Sequence, residues 1–292
     1  MRTPPIDGML LVDKPAGPTS HDVVAVVRRA LGIRRVGHAG TLDPFATGLL
    51  VLLVGRATRL LPYIDAEPKE YEATVRFGVA TDTDDITGSV ITEAPLPTRE
   101  SAEHAMAALT GALFQLPPAF SAKQVGGRRS YAAARSGERL ALQPVPVDVH
   151  GWCMRAWRGD EMDVTITCGG GTYVRSLARD LGDLAGSAAH LAALRRVRSG
   201  PFTVAAAATL DDIAAGGATL LPPIEAVRSM PAQWLGDAAL ARVVTGRPVE
   251  AVVSGERAAL VDSSGALVAV AARESDDGGA GHWHPRLVLR DA

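Results

Sequence analysis

Asp43 stands in the stretch RRVGHAGTLDPFATGLLVLLVGRATRL, between a glycine-flanked histidine turn and an uncharged run, with arginines on both sides. A solvated loop would be more polar, and a plain core strand would not carry the carboxylate. Pro44 restricts Asp43 to extended backbone conformations, and the run 46–55 is apolar enough to be buried. The carboxylate is therefore expected at the edge of the core, where it needs a cation or several N–H donors or else keeps its proton. One reading is an aspartate that caps its own turn. The other is a reactive carboxylate held by a guanidinium from elsewhere in the chain. The stretch GGGTYVRSLARD offers that partner: glycines that permit close backbone approach, Tyr173 with a stacking face, and Arg175 with a fork suited to a carboxylate.

Other chemistries lack their residues. There is no P-loop, no HExxH and no GxSxG pattern. DTDDITG (82–88) has the wrong acidic spacing for a calcium loop and lacks its terminal glutamate, so it reads as a solvated turn. His282 and His284 flank a tryptophan as an isolated pair, which reads as surface. Cys153 and Cys168 form no CxxC pair, which points to neither a disulfide framework nor a zinc site.

The elements that must position these groups can be read from periodicity. GMLLVDK is a short apolar strand leading into a proline-rich turn. A helix follows, with Thr19 or Ser20 as N-cap, Val23, Val24, Val27 and Leu31 at helical spacing, and Gly32 as its stop. KEYEATVRF alternates, with Tyr71, Ala73, Val75 and Phe77 on its apolar face. DVTITC alternates too, and runs through three glycines into the helical TYVRSLARDLGDLAG. Strands and helices mix without a βαβ rhythm, which predicts an α+β fold around a mixed, mostly antiparallel sheet. Pro222, Pro223 and Pro231 mark an exit from a first domain, 1–228, into a small β-rich unit, 229–292. That unit shows one short helix, GDAALARVVTG, then strands such as AALVDS and ALVAVAA, and ESDDGGAG reads as a flexible hairpin.

The chain has 292 residues, a net charge of −2 and no apolar run of membrane-spanning length, and its first residues form no secretory signal. A soluble, cytoplasmic protein is expected. Net charge gives no hint of a polyanionic partner, but its distribution does. From Lys14 to Leu61 seven cations face only Asp22 and Asp43, whereas from Asp65 to Glu103 ten acids face three cations. Such segregation favours a basic face for nucleic acid, with Arg28, Arg29, Arg34, Arg56 and Arg128 as candidates.

Six ordered blocks carry a resemblance: GMLLVDKPAGPTSHDVV, GHAGTLDPFATGLLVLLVGRATRL, KEYEATVRFGVATDTDDITG, QLPPAFSAKQVGGRRSYAAARSGE, GGGTYVRSLARDLG and LRRVRSGPF. Together they resemble the TruB family of bacterial tRNA pseudouridine synthases, which modify the T-arm uridine at position 55. The resemblance runs from Gly8 to Val204, and the tail resembles that family's small PUA-like RNA-binding domain. It implies a pseudouridine synthase fold. Asp43 would be the nucleophile that attacks the ribose anomeric carbon, so that the uracil detaches, rotates and rejoins through carbon. Tyr71 would stack on the base and serve in proton transfer, and Arg175 would pair with the nucleophile. Tyr173 would line the base pocket and His38 would enter the RNA loop. Lys14, with Pro15, would support the pocket, and Leu194 would join the substrate-binding set.

The same resemblance implies a tRNA T-arm stem-loop as partner, no cofactor, no metal, no membrane, no required protein partner and a monomer. One block departs from the family pattern: Gln124 stands where a lysine is expected, with Lys123 one place earlier. Two other readings stay open: the catalytic subunit of a guide-RNA particle, and a non-catalytic tRNA-binding or tRNA-folding protein. An intact Asp43, Tyr71 and Arg175 set speaks against the last, since binding alone would not require a carboxylate next to phosphate.

Overall fold

Strand β1 (Gly8–Lys14) is almost wholly buried, and its proline-rich exit delivers the chain to helix α1 (Ser20–Leu31). The computed structural model describes residues 6–120, 124–125, 128–129, 142–274 and 281–290, with 124–125 and 128–129 described as backbone. Thr19 is the N-cap of α1: its side chain accepts the Asp22 N–H while the Asp22 carboxylate accepts the Thr19 N–H. Gly32 ends the helix with φ 66°, the left-handed conformation that glycine adopts most easily. Val23, Val24 and Val27 pack the helix on Leu10, Val12, Leu50 and Leu52 of the sheet.

β2 (Val36–His38) pairs antiparallel with β3 (Thr47–Val54), and the connection 39–46 carries Asp43. The uncharged run is thus a central strand, with Leu49 to Val54 fully buried. β4 (Lys69–Phe77) alternates as its sequence requires, with Tyr71, Ala73, Val75 and Phe77 inward. A hairpin of β5 (Val79–Thr81) and β6 (Val90–Glu93) follows. Next come α2 (Arg99–Ala108), β7 (Gly111–Gln115) and the two-residue strands β8 (Gln124–Val125) and β9 (Arg128–Arg129). β10 (Val145–Arg158) and β11 (Glu161–Cys168) form a long hairpin. The glycine turn then opens α3 (Val174–Leu184), and β12 (Ala189–Ser199), β13 (Phe202–Thr203), β14 (Ala208–Thr209) and the one-turn α4 (Leu210–Ala214) close the unit.

The main sheet runs β14-β1-β3-β12-β4-β11-β10-β7, with β2 on β3 and β13 on β12. Its pairs are antiparallel except β1–β14 and β3–β12, so the expected mixed, mostly antiparallel α+β architecture is found. One consequence matters for the site. The β12–β4 register sets Arg196 opposite Tyr71 and Leu194 opposite Ala73. The parallel β3–β12 pair brings the strand that leaves the Asp43 turn onto β12, with Gly48 beside Arg196.

A second sheet is built from the C-terminal residues: β15 (Ala232–Trp234), α5 (Asp237–Val243), β16 (Val249–Glu250), β17 (Arg257–Val261), β18 (Leu267–Glu274) and β19 (His282–Val288), with strand order β15-β17-β18-β19-β16. It does not hang on a free linker. Ala259, Leu267, Val270 and Leu287 share one apolar core with Met9, Leu11, Val51 and Leu53, and Arg59 donates to the Val288 carbonyl at 2.7 Å. Trp283 is fully buried and donates to Gln233 at 2.7 Å, so the HWH stretch anchors this unit, with His282 and His284 half-buried beside it. The hairpin expected over ESDDGGAG, the Lys123 position and the side chains of Gln124 and Arg128 lie outside the described residues. No described helix is long and apolar enough to cross a membrane.

Gly48 has φ +99°, and a Cβ there would collide with the Arg196 backbone across the parallel pair. Gly216 has φ +82° with open space around it. Gly216→Ala should therefore cost only the left-handed backbone penalty, about 1 kcal/mol. Gly48→Ala adds a steric clash between two central strands and should cost more than about 2 kcal/mol. Urea unfolding midpoints of the two variants check the ranking.

Candidate active site

The turn after β2 presents Asp43 to the start of α3, and one guanidinium closes the gap. Arg175 donates through Nε to Asp43 Oδ2 at 2.9 Å and through Nη2 to Asp43 Oδ1 at 2.9 Å, a bidentate fork between groups 132 residues apart. Arg175 is buried, whereas a third of the Asp43 side chain reaches the cleft. The remaining N–H groups of the guanidinium are also satisfied. Nη1 donates to the Thr83 carbonyl at 2.9 Å, Nη2 also donates to the Phe120 carbonyl at 2.8 Å, and Asp85 Oδ2 lies 3.5 Å from Nη1.

Asp85 corrects the reading of DTDDITG as a solvated turn. Its carboxylate is buried and accepts from the Thr83 hydroxyl at 2.8 Å and from the Thr87 backbone N–H at 2.9 Å. Asp84, the one non-glycine residue with positive φ among the described residues (59°), turns its side chain the other way to meet Arg179 at 3.0 Å. The acidic spacing that fails for calcium therefore serves two arginines one helical turn apart on α3, through alternate carboxylates. Sequence reasoning missed this because the partners are remote; the clue was two acids in a row with threonines on each side, too many for a solvated loop to need.

Lys14 lies beneath the Asp43 turn, fully buried, with Nζ donating to the carbonyls of Pro15 (2.9 Å), Pro18 (2.9 Å) and Pro44 (3.2 Å). Burial lowers its pKa to about 8, opposed by the nearby Asp43 charge. Ser20, at the start of α1, accepts the Leu42 N–H and donates to the Leu42 carbonyl, so the turn is gripped on both sides of Asp43.

Above this turn opens a cleft of about 240 Å³. Asp43 and Arg175 line one part of it, Tyr71 and Leu194 the apolar floor, Tyr173 one wall, and Lys69 and Arg196 another part. Tyr173 is fixed through its backbone: Gln115, itself buried, accepts the Tyr173 N–H at 2.8 Å and donates to its carbonyl at 3.0 Å. Arg196 is buried, donating through Nε to the Leu49 carbonyl at 2.7 Å and through Nη2 to the Gly40 carbonyl at 3.0 Å. Burial raises the Tyr71 pKa above its usual value, with Arg196 opposing, so the phenol is neutral at ordinary pH.

The geometry thus brings Asp43, Tyr71, Arg175, Tyr173 and Leu194 to one cleft and sets Lys14 under it. His38 is different. It does not line the cleft; it meets His21 edge-on with ring centroids 5.6 Å apart, and its Nδ1 is buried without a partner among the described residues. Burial lowers its pKa, with His21 and Arg196 adding to the effect, which favours a neutral ring.

The electrostatics of Asp43 also differ from simple pairing. Loss of water around the carboxylate raises its pKa more than the Arg175 charge and hydrogen bonds lower it, and Asp85 adds to the rise. The result is a carboxylate less stabilised as an anion than its arginine pairing alone would make it, which leaves its charge available for chemistry in the cleft. Among the described residues no cluster of side chains is arranged to hold a metal ion.

Two family models match. The TruB family pseudouridylate synthase N-terminal domain covers residues 28–174, and the tRNA pseudouridylate synthase B C-terminal domain covers 175–253. The tRNA pseudouridine synthase B of Thermobifida fusca is 47% identical, covering 92% of this chain and 95% of the relative. Its counterpart in Mycobacterium bovis is 43% identical over 90% of this chain and 91% of the relative. Among solved structures, an H/ACA ribonucleoprotein bound to a substrate RNA containing 2'-deoxyuridine superimposes with a TM-score of 0.73 at 23% identity, covering 97% of this chain and 85% of that one. A Cbf5-Nop10-Gar1 complex gives 0.72 at 25% identity over the same shares.

If Arg175 is what offsets the charge of Asp43, Arg175→Ala should raise the Asp43 pKa further above 3.8 and cost on the order of 3 kcal/mol of stability. The sign of the pH effect follows. With its pKa raised, the folded state holds a proton that the unfolded chain has released, so the variant loses stability as pH rises through that interval. NMR titration of the Asp43 carboxyl carbon and denaturation at pH 4 and pH 7 measure both.

Proposed function

Because the chain belongs to the TruB family of pseudouridylate synthases, we propose that it isomerises a uridine in the T-arm loop of tRNA, position 55, to pseudouridine. The observation that carries this reading is the Asp43 carboxylate, clasped by Arg175 at the edge of a cleft floored by Tyr71 and Leu194. A uridine turned out of the RNA stack fits such a cleft: its sugar meets the carboxylate and its base lies on the phenol ring. Extrusion costs a few kcal/mol, and stacking on an aromatic ring returns roughly 1–3 kcal/mol per base. To His38, at the end of β2 outside the cleft wall, we assign the filling of the gap left in the loop.

In the proposed reaction an Asp43 oxygen bonds to the anomeric carbon as the bond to N1 breaks, and the electron pair leaves with the uracil. The base rotates until C5 faces the sugar. A carbon–carbon bond then forms, the aspartate ester bond breaks, the C5 proton departs and N1 gains one. Atoms and electrons balance without an external reactant. Tyr71 is the assigned proton carrier: its neutral hydroxyl lies in the same cleft and gives its proton to N1, and the resulting phenolate, favoured by the Arg196 charge, takes the C5 proton and is neutral again. Arg175 keeps the leaving Asp43 carboxylate anionic. Tyr173 and Leu194 confine the base, and Lys14 holds the turn.

We assign residues 1–228 to catalysis and 229–292 to a PUA-like unit that extends the RNA surface. The enzyme acts as a monomer in the cytoplasm, without a protein partner or cofactor. Support for a free-standing enzyme over a guide-RNA subunit comes from relatives named tRNA pseudouridine synthase B, one of which the chain covers to 95% of its length. The likeness to the H/ACA and Cbf5 structures concerns the fold.

An unmodified tRNA transcript incubated with the purified protein alone should gain one pseudouridine in the T-arm loop, read by chemical derivatisation and mass mapping of fragments. No pseudouridine, or pseudouridine confined to another arm, would overturn the assignment.

A further inference from the structure

Lys69 is a cleft residue that the reaction above does not use. It lies two positions before Tyr71 on the same face of β4, and among the described residues its ammonium has no hydrogen bond or ion pair. Its course is defined by two glycines. A Cβ on Gly40 would lie 3.6 Å from Lys69 Cε and 3.5 Å from Arg196 Nη1, and a Cβ on Gly170 would lie 3.5 Å from Lys69 Nζ. The side chain therefore passes the turn that carries Asp43 and ends beside the turn that carries Tyr173.

Two cations thus converge near Gly40. They are not equivalent. Arg196 is buried and tied to the Leu49 and Gly40 carbonyls, so it supplies a fixed charge. Lys69 is half-buried with its donors free toward the cleft. Glu67 shares that corner, since its carboxylate occupies the space a Gly170 side chain would need, and it offsets part of the Lys69 charge without pairing with it. Removal from water lowers the Lys69 pKa, and Arg196 adds to the effect. Glu67 offsets this only in part and forms no ion pair with it, so a half-buried ammonium with free donors is left facing the cleft, where a further anion would be favoured.

We propose that Lys69 is a substrate contact, its ammonium receiving a backbone phosphate next to the everted uridine with the Arg196 charge behind it. The only anionic groups on unmodified RNA are its phosphates, and a nucleotide whose sugar lies at Asp43 and whose base lies on Tyr71 brings one within reach of the cleft rim. The inference rests on the uridine-binding reading of the cleft and adds the site that fixes the backbone. It also assigns a purpose to an ammonium that lines the cleft without a hydrogen bond or ion pair among the described residues.

The test compares wild type, Lys69→Gln and Lys69→Arg binding to a T-arm stem-loop by fluorescence anisotropy between about 50 and 200 mM salt. Lys69→Gln should bind several-fold more weakly at low salt and reduce the slope of log K against log salt by about one. Lys69→Arg should keep the slope, which guards against a folding defect. Replacing the phosphates that flank the target uridine, one at a time, by neutral methylphosphonates should at one position weaken wild type several-fold and leave Lys69→Gln unchanged. Weaker binding with an unchanged slope would assign Lys69 to a neutral base carbonyl and overturn the proposal. Equal loss in wild type and Lys69→Gln at both methylphosphonates would overturn it too. These readouts need no turnover, so they are separate from pseudouridine formation, whose absence in wild type would instead defeat the functional reading.

Discussion

One buried guanidinium organises this molecule. Arg175 joins Asp43, from the turn after β2, to Asp85, from the hairpin after β4, and also holds the carbonyls of Thr83 and Phe120. Three segments distant in sequence meet at its N–H groups. Such an arrangement is costly to assemble, because two carboxylates and a guanidinium leave water together. It persists because each neighbouring loop is fixed independently: Lys14 and Ser20 grip the Asp43 turn, and the threonines around Asp85 fix its carboxylate. The functional consequence is a carboxylate with restricted geometry and incomplete stabilisation. Burial outweighs the arginine in setting its pKa, so Asp43 is held in place more firmly than it is neutralised.

The remainder of the cleft divides by polarity. Tyr71 and Leu194 form an apolar floor on adjacent strands, whose register also places Arg196 opposite Tyr71. A planar base can lie on this floor while sugar and phosphate stay with the charged groups around it. The sheet sets these relations because Gly48 lets β3 approach β12 closely, and β12 in turn pairs with β4. The C-terminal sheet shares a core with the first strands, so any RNA surface it adds is held rigidly against the catalytic unit.

Much of this was legible in the sequence, for physical reasons that differ by element. The β4 alternation and the α1 caps are local signals: they predicted Tyr71 facing inward and a helix capped by Thr19 or Ser20 and stopped by Gly32, found as Ser20–Leu31 with Thr19 as the cap. Asp43 stood out because a carboxylate before proline at the head of an apolar run needs a partner, and Arg175 was chosen by its type. The acidic hairpin was misread. Its carboxylates looked solvated because their partners, Arg175 and Arg179, lie ninety or more residues away on α3. Arg196 and Lys69 were missed for the same reason: in RRVRSG and PKEY they look like ordinary surface charges, and only strand pairing turns them toward the cleft. His38 was recognised by pattern, yet the fold puts it beside His21 and outside the cleft wall.

The central claim is that an ionised oxygen at residue 43, clasped by Arg175, reacts with the nucleotide. Asp43→Asn keeps the shape and one acceptor but removes the anion, so single-turnover pseudouridine formation in a bound tRNA tests it most directly. The account predicts no detectable product while tRNA affinity stays within a few-fold of wild type. Product formed by the asparagine variant at a substantial fraction of the wild-type rate would contradict it.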